Sequence, residues 1–314
     1  MRLVSPGVQR CSDLLDEYRR KGRNQRGERL RFGGVGNRDV YNITAPFTDR
    51  GEPVIAGRVE RRDSEDSEVM FFREQGGVWH PRRGDPVFPL QDPFFSRIHG
   101  ELVVGGVETF PDPAKPGMVN WRTRFYRGRD VRTLEPFASG PDGMKDIRLV
   151  ELSDGRIGVF TRPQGEVGGR GIIGYTEIGS LDELTADAIL SAKLLTEQFH
   201  PDEWGGVNEA HLLANGLIGV LGHIAHYDAQ MNKHYYPMVF AYDPRTHTAS
   251  AMEIIAVRED FPPGPAKHPR LANVLFSGGL VRKGNGLAEL YVGVSDAEAH
   301  RIVLPDPFSK FEAL

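Results

Sequence analysis

Asp146-Ile147-Arg148-Leu149-Val150-Glu151-Leu152-Ser153-Asp154-Gly155-Arg156-Ile157-Gly158-Val159-Phe160-Thr161-Arg162 is an apolar run, a turn containing glycine and a second apolar run. The pattern recurs. A turn glycine followed six places on by a small residue is found at Gly51/Gly57, Gly100/Gly106, Gly155/Thr161 and Gly216/Gly222, and the last copy, Gly286/Gly293, slips by one. Successive turn glycines stand 49, 55, 61 and 70 residues apart. That spacing is too irregular for a solenoid but natural for blades whose outer strands and loops vary in length. Five copies predict an all-β chain folded as a five-bladed β-propeller.

Local chemistry supports each hairpin. Asp154-Gly155, Asn215-Gly216 and Asn285-Gly286 stand between apolar runs, and such pairs favour the positive-φ turns whose twist suits antiparallel strands. Arg50-Gly51 and His99-Gly100 read as weaker turns. The second strands, such as Leu217-Ile218-Gly219-Val220-Leu221, are short and apolar throughout, as strands buried on both faces are. Small residues just beyond them let backbones approach near a crowded axis.

The organisation follows. Residues 1–33 read as an N-terminal helix and polar arm. The helix lies over 9–20, with Leu14, Leu15 and Tyr18 at helical spacing after a Ser12/Asp13 cap, and a basic solvated stretch runs from Arg19 to Arg31. Residues 34–314 read as the propeller, interrupted after the third blade by a helical insertion over Ser180–Phe199. A net charge of −4 and a pI near 6.2 give no global electrostatic reason to expect nucleic acid or an anionic membrane. Cys11 is the single cysteine, so there is neither an intrachain disulfide nor a cysteine cluster for zinc. With no apolar leader and no membrane-length stretch, a cytoplasmic protein is the expectation.

In a propeller, the start of each inner strand and the loop after its partner lie at one end, so polar residues at those places converge on a central funnel. They are Asp39 and Asn42, then Asp92, then Lys145, Asp146 and Arg148, then Asn208, Glu209 and His211. The post-hairpin loops add Arg58, Glu60, Asp63, Glu108, Arg162, His223 and Asp296. Facing carboxylates interleaved with cations are what acid-assisted cleavage of a glycosidic bond requires. His223 and His226 are three apart, on opposite faces of a strand, which disfavours a shared metal; none is expected. Gly169-Arg170-Gly171-Ile172-Ile173-Gly174 matches a dinucleotide fingerprint, but a strand-like run follows it and the phosphate-binding helix is missing.

Four patches carry a family resemblance: Gly57-Arg58-Val59-Glu60 with Asp63-Ser64; Gly76-Gly77-Val78-Trp79; Lys145-Asp146-Ile147-Arg148, similar to a Glu-Asp-Pro-Arg motif; and Leu290-Tyr291-Val292-Gly293-Val294-Ser295-Asp296. Together they resemble the five-bladed propeller glycosidases, most closely glycoside hydrolase family 130, the mannoside phosphorylases and mannosidases. The resemblance implies an inverting reaction on a β-mannoside-like bond in which the residue matching Asp146 protonates the glycosidic oxygen through a sugar hydroxyl. Inorganic phosphate attacks in phosphorylases and water in hydrolases, with no other cofactor. Arg58, Arg148, Arg162 and His211 are candidates to hold phosphate. Glu209 or Glu108 could serve as base to water. Ile147 and Lys145 replace the motif's proline and acid.

Two other readings stand beside this one. A furanosidase-type propeller hydrolase would use several carboxylates such as Asp39, Asp146 and Glu209, and a sugar-binding propeller would use none catalytically. Trp204, Tyr227 and Trp121 could stack on sugar faces. The expected partner is an oligosaccharide or glycoside substrate, with no nucleic acid and no membrane, and a homo-oligomer is compatible with the sequence.

Overall fold

The computed structural model describes residues 3–22, 25–113 and 115–314. The chain is all-β, and its strands form antiparallel meanders in sequence order. The first comprises β2 (Asp39–Tyr41), β3 (Phe47–Asp49), β4 (Glu52–Glu60), β5 (Glu68–Gln75) and β6 (Val78–Pro81), with β2 and β3 both pairing β4. The second is β7 (Gln91–Ile98), β8 (Glu101–Pro111), β9 (Val119–Gly128) and β10 (Glu135–Ser139). The third is β11 (Arg148–Glu151), β12 (Ile157–Thr161), β13 (Gly174–Ile178) and β14 (Lys193–Leu194).

The fourth runs through β15 (Glu203–Leu212), β16 (Ile218–Tyr227) and β17 (Lys233–Asp243), with β18 (Thr248–Ala249) and β19 (Glu253–Ile254) on its outer edge. The fifth is β20 (Asn273–Arg282), β21 (Leu287–Val294) and β22 (Glu298–Pro305). Its outer edge is completed by β1 (Glu28–Arg29), which pairs with Arg301 and His300 of β22. The basic arm thus contributes a strand; where it was read as solvated, its backbone is in a ladder.

Apolar side chains fill the space between successive meanders. Val54, Phe71, Leu102 and Val104 pack between the first and second, Phe94, Val103, Leu149 and Val159 between the second and third. Phe160, Tyr175, Val220 and Phe240 join the third to the fourth, and Leu221, Val239, Leu275 and Leu290 the fourth to the fifth. Ile43, Ile55, Phe72 and Tyr291 join the fifth back to the first.

All five expected hairpins are present, with a reversal in their turns. Asp49 pairs Glu52 and Ile98 pairs Glu101, so Arg50-Gly51 and His99-Gly100 are two-residue turns, and both residues of each have positive φ. At Asp154-Gly155 and Asn215-Gly216 only the glycine does, in longer loops closed by Leu152 and Leu213 N–H bonds to Arg156 and Leu217.

Helix α1 (Cys11–Arg20) buries Leu14, Leu15 and Tyr18 as expected, together with Cys11, but its cap differs. The Glu203 carboxylate, from β15, accepts the Cys11 N–H at 3.0 Å, in place of a Ser12 or Asp13 side chain. The expected helical insertion is largely absent. Ser180–Phe199 holds a single turn at Leu181–Glu183, a five-residue helix Ala186–Leu190 and strand β14, since this segment is laid along the third meander's edge. The short helices α2 (Gly165–Gly168), α3 (Ala186–Leu190) and α4 (Ser309–Glu312) complete the structure. Among the described residues no helix is long and apolar enough to cross a membrane.

Candidate active site

Each meander's first strand is disturbed at the same level. Asn42 (φ 44°) separates β2 from β3, Asp92 (φ 49°) lies in the register shift between Gln91 and Phe94, and Asp146 (φ 60°) stands just before β11. A shift falls at Asn208 in β15 and another between Ser277 and Gly279 in β20. Non-glycine residues in the left-handed region are uncommon and cluster where function constrains the backbone. The recurring small residues make room for these breaks. A Cβ on Gly293 would lie 1.9 Å from Asn42 Oδ1, which explains why the final copy of the pattern needs glycine there.

Asp146, Arg162, Asn208 and His223 form one buried group. Arg162 Nη1 lies 3.3 Å from Asp146 Oδ2, and its Nε donates to the Gly205 carbonyl at 2.9 Å. Burial alone would raise the Asp146 carboxyl, but Arg162, then Lys145, His223 and Arg148, outweigh it and hold the group below the usual carboxylate range. Burial drives His223 down to about 3, so its ring is neutral at neutral pH. Asn208 Oδ1 lies 2.8 Å from Nδ1, and a ring proton on Nδ1 completes that bond and leaves Nε2 a lone pair. Among the described residues two buried donors in this group are under-satisfied: Asn208 Nδ2 has no hydrogen-bond partner, and Arg162 Nη1 meets only the Asp146 carboxylate, at 3.3 Å. Buried polar groups are almost always satisfied, so unpaired donors beside a cavity mark a place for an acceptor-rich ligand.

Arg148 is buried too, donating Nε to the Asn208 carbonyl at 2.7 Å while its guanidinium stacks 4.1 Å from the Phe94 ring centre. No carboxylate pairs with it directly. Burial therefore lowers it to about 10, partly offset by Asp146, Asp92 and Glu209.

A second group gathers around Arg58, which is 3.1 Å from Asp92 Oδ1 and 2.9 Å from Glu60 Oε2. Asn42 Nδ2 donates to the same Asp92 oxygen at 2.8 Å. Burial would raise Asp92, yet Arg58 and Lys145 hold it low. Glu60 also receives the Tyr41 hydroxyl and the Lys267 ammonium, and burial is again outweighed. Asp296 behaves oppositely. Burial, with the Asp92 charge adding to it, raises its carboxyl against the pull of Arg58 and Lys267.

A cavity of about 440 Å³ reaches the first group at Arg162 and is lined as well by Lys145, Arg170 and Lys233 together with Gln91 and Gln164. Its aromatic walls are Trp121, Trp204, Tyr227 and Tyr235. Arg170 lies 5.6 Å over Tyr227 and 5.9 Å over Trp204. Four cations beside stacking surfaces can bind an anion and a sugar together. Among the described residues no group of three or more metal-ligating side chains is assembled.

The expected residues divide. Asn42, Arg58, Glu60, Asp92, Asp146, Arg148, Arg162, Asn208 and His223 are buried in the two groups, and Asp296 is half-buried beside them. Asp39, expected to be catalytic, is taken up in a two-point pair with Arg62 at 2.8 Å, and Asp63 is an exposed partner of Arg61. Glu108 is held by Arg122 at 2.6 Å. Glu209, the other expected base, accepts the Leu280 N–H at 2.7 Å and contacts His211 at 2.8 Å, bracing the fourth meander against the fifth. None of these five lines the cavity, and of the two buried groups only Arg162 does.

Sequence reasoning missed Lys233 and Tyr235, which begin β17 directly across from Tyr227 and Ala225. The missing signal is that third strands, not only first strands and post-hairpin loops, start at the funnel. It also passed over Gln91-Asp92-Pro93, which keeps the Asp-Pro of the Glu-Asp-Pro-Arg motif that Lys145-Asp146-Ile147-Arg148 lacks.

The family model described as "Protein of unknown function (DUF1861)" matches residues 17–310, and the chain belongs to that family. No curated protein matches it. Among solved structures it is similar to MPT-4, a mannose phosphorylase from Leishmania mexicana in complex with phosphate ion, at 36% identity, with 95% of this chain and 94% of that one covered and a TM-score of 0.87. It is also similar to MPT-1, a GDP-Man-dependent mannosyltransferase from the same organism, at 36% identity over 95% of each chain with a TM-score of 0.85. The β-1,2-mannobiose phosphorylase from Listeria innocua, at 13% identity over 88% of this chain and 93% of that one, has a TM-score of 0.63, a likeness of fold. The resemblance to glycoside hydrolase family 130 is matched among these structures by a likeness of fold alone.

Proposed function

We propose that this member of the DUF1861 family is a mannoside phosphorylase, cleaving a β-mannoside-like bond with inversion as inorganic phosphate attacks the anomeric carbon. The five meanders are read as five blades around a common axis, with the cavity at one end of it. The coarser reading, a carbohydrate-active enzyme that processes mannosides, rests on relatives at 36% identity over nearly the whole chain, one a mannose phosphorylase and one a mannosyltransferase. The finer one rests on a single observation: Asn208 Nδ2 is a buried donor without a partner next to Arg162, whose Nη1 meets only Asp146, and Arg162 joins Lys145, Arg170 and Lys233 in lining an aromatic-walled cavity. A phosphate dianion satisfies both the charge and the donors.

The acid is Asp92. Asp146, carried from the motif resemblance, is the alternative. Inversion places acid and nucleophile on opposite faces of the sugar. Asp146 is paired with Arg162, the cation assigned to phosphate, and so sits on the nucleophile's side. Asp92 belongs to the Arg58–Asn42 group instead. Arg58 holds the Asp92 carboxyl low, so its proton arrives as substrate binds, whereas burial holds the neighbouring Asp296 carboxyl up.

The test is product analysis with β-linked mannobioses, with and without phosphate, followed by Asp92→Asn and Asp146→Asn. Phosphate-dependent release of mannose 1-phosphate is expected. Asp92→Asn should lose about 10³-fold on mannobiose yet recover on an aryl mannoside whose leaving group needs no proton. Asp146→Asn should instead raise the KM for phosphate. Release of free mannose without phosphate overturns the phosphorylase reading, and transfer from GDP-mannose alone replaces it with a transferase. Rescue of Asp146→Asn, not Asp92→Asn, by the aryl mannoside reverses the acid assignment.

A further inference from the structure

Five donor atoms converge on the buried Glu60 carboxylate. Oε2 accepts from Arg58 Nε at 3.2 Å, from Arg58 Nη2 at 2.9 Å and from the Ser67 hydroxyl, while Oε1 accepts from the Tyr41 hydroxyl and the Lys267 ammonium. Arg58 is itself divided. Its Nη1 reaches Asp92 at 3.1 Å, and Nη2 also lies 3.3 Å from Glu65, an exposed side chain that meets Lys267 at 2.7 Å. Three carboxylates thus share one guanidinium, and Glu60 grips it at two points where Asp92 has one.

The division matters for an acid. An arginine in direct contact favours the ionised form of a carboxyl, so an uncompensated Arg58 would oppose the proton that Asp92 must carry. A second carboxylate on the same guanidinium cancels part of that pull. It also sets direction, because a planar fork held at Nε and Nη2 presents Nη1 to Asp92. The Tyr41 ring, 5.0 Å from the guanidinium carbon, covers one face. The other charges acting on Asp92 are Lys145 and Asp296, and Lys267 and Lys233 act in turn on Asp296. Gln91, next to Asp92 in the chain, lines the cavity and donates to the Glu65 carbonyl at 3.3 Å, which joins this group to the cavity wall.

We propose that Glu60, steadied by Lys267, is a positioning residue for the acid: it aims Arg58 at Asp92 and offsets enough of its charge for Asp92 to take up a proton as substrate binds. The inference rests on the Asp92 reading above, and it assigns the acid's charge balance to a residue that does not line the cavity.

The pH dependence of kcat on β-mannobiose in the full chain tests it, since the alkaline limb reports the acid in the bound complex. Glu60→Gln removes the offsetting charge, so that limb should move down by about one pH unit and kcat at neutral pH should fall about tenfold. The loss should vanish on an aryl mannoside, whose leaving group needs no proton. Lys267→Met withdraws a cation and should move the limb up. Glu65→Gln, at an exposed position, should move it down by about 0.3 unit. If Glu60→Gln does not fold, Lys267→Met and Glu65→Gln supply the same opposed pair. Opposite shifts are what a purely structural part would not give. Unmoved limbs, shifts in one direction, or an equal loss by Glu60→Gln on the aryl mannoside would overturn the proposal. Asp92→Asn left unrescued by the aryl mannoside, or no turnover of any β-mannobiose, overturns the acid reading and this inference with it; rescued Asp92→Asn with unmoved limbs removes the inference alone.

Discussion

Replacing Gly206 by alanine adds one methyl group at the point where the candidate phosphate site is assembled. Its Cβ would stand 2.8 Å from Arg162 Cδ, 3.0 Å from Asp146 Oδ2 and 3.0 Å from His223 Cε1. Ordinary carbon contacts begin near about 3.5 Å, so Arg162 must retreat by about 0.7 Å or the strand must bend. Neither is easy. Arg162 is pinned through Nε to the Gly205 carbonyl, and Gly206 is in register with His223 in the β15–β16 ladder. Overpacking of this kind costs about 1–3 kcal/mol, which the fold should survive. Activity should suffer more, because displacing positioned groups by up to an ångström can cost about 10²-fold. Gly206→Ala should therefore remain folded by calorimetry while kcat/KM for phosphorolysis falls about 30–100-fold, with a raised phosphate KM. A folded variant with phosphate KM and kcat within twofold of the parent would refute the assignment of this cluster to phosphate.

Other outcomes follow from the same contacts. His223 has its folded pKa depressed to about 3, so the unfolded chain binds the proton first. Its contribution is complete above about pH 6.5 and is lost at up to about 1.4 kcal/mol per pH unit below that, until pH nears 3. Chemical denaturation between pH 7 and 5 should show that slope in the parent and a shallower one in His223→Asn. Asp92 and Asp146, held low, add losses only at more acid pH. Glu203→Ala removes the carboxylate that caps α1 and should cost about 1 kcal/mol, read as a lower Tm with activity retained. Burial, then Glu203, pushes the Cys11 thiol up, so a thiol reagent should label it only on unfolding; rapid labelling of the native chain would contradict its burial.

The hairpins were legible because glycine at each turn and unbroken apolar strands are demands of backbone and burial that any reader of the sequence meets. Turn type was not. Arg50-Gly51 outranks Asp154-Gly155 as a two-residue turn because Asp49 pairs Glu52, and pairing register is a property of two strands together. The helix expected over 180–199 follows propensity, which yields here to docking along β13. At the site, position along a strand found Arg58, Asp92, Asp146 and Arg162, but it could not distinguish Asp39 from Asp92. One is matched by an exposed arginine and the other by a buried one, and that difference is set by a contact between the first and second meanders. Lys233 escaped because its role depends on lying across β16 from Tyr227.

The clasp between β1 and β22 has a consequence for synthesis. Glu28 and Arg301 meet across 273 positions of chain. Most other ladders join strands close in sequence, the parallel β17–β20 pairing spanning about 40 residues, and can form soon after their strands leave the ribosome; this one must wait for the last meander. At about 5–20 residues per second the arm waits on the order of tens of seconds with its edge partner not yet made. The first meander's flank, which the fifth will cover through Ile43 and Tyr291, is uncovered for the same interval. Chaperone dependence and any tendency to aggregate should accordingly be concentrated in the nascent chain, and a released, closed molecule should show neither.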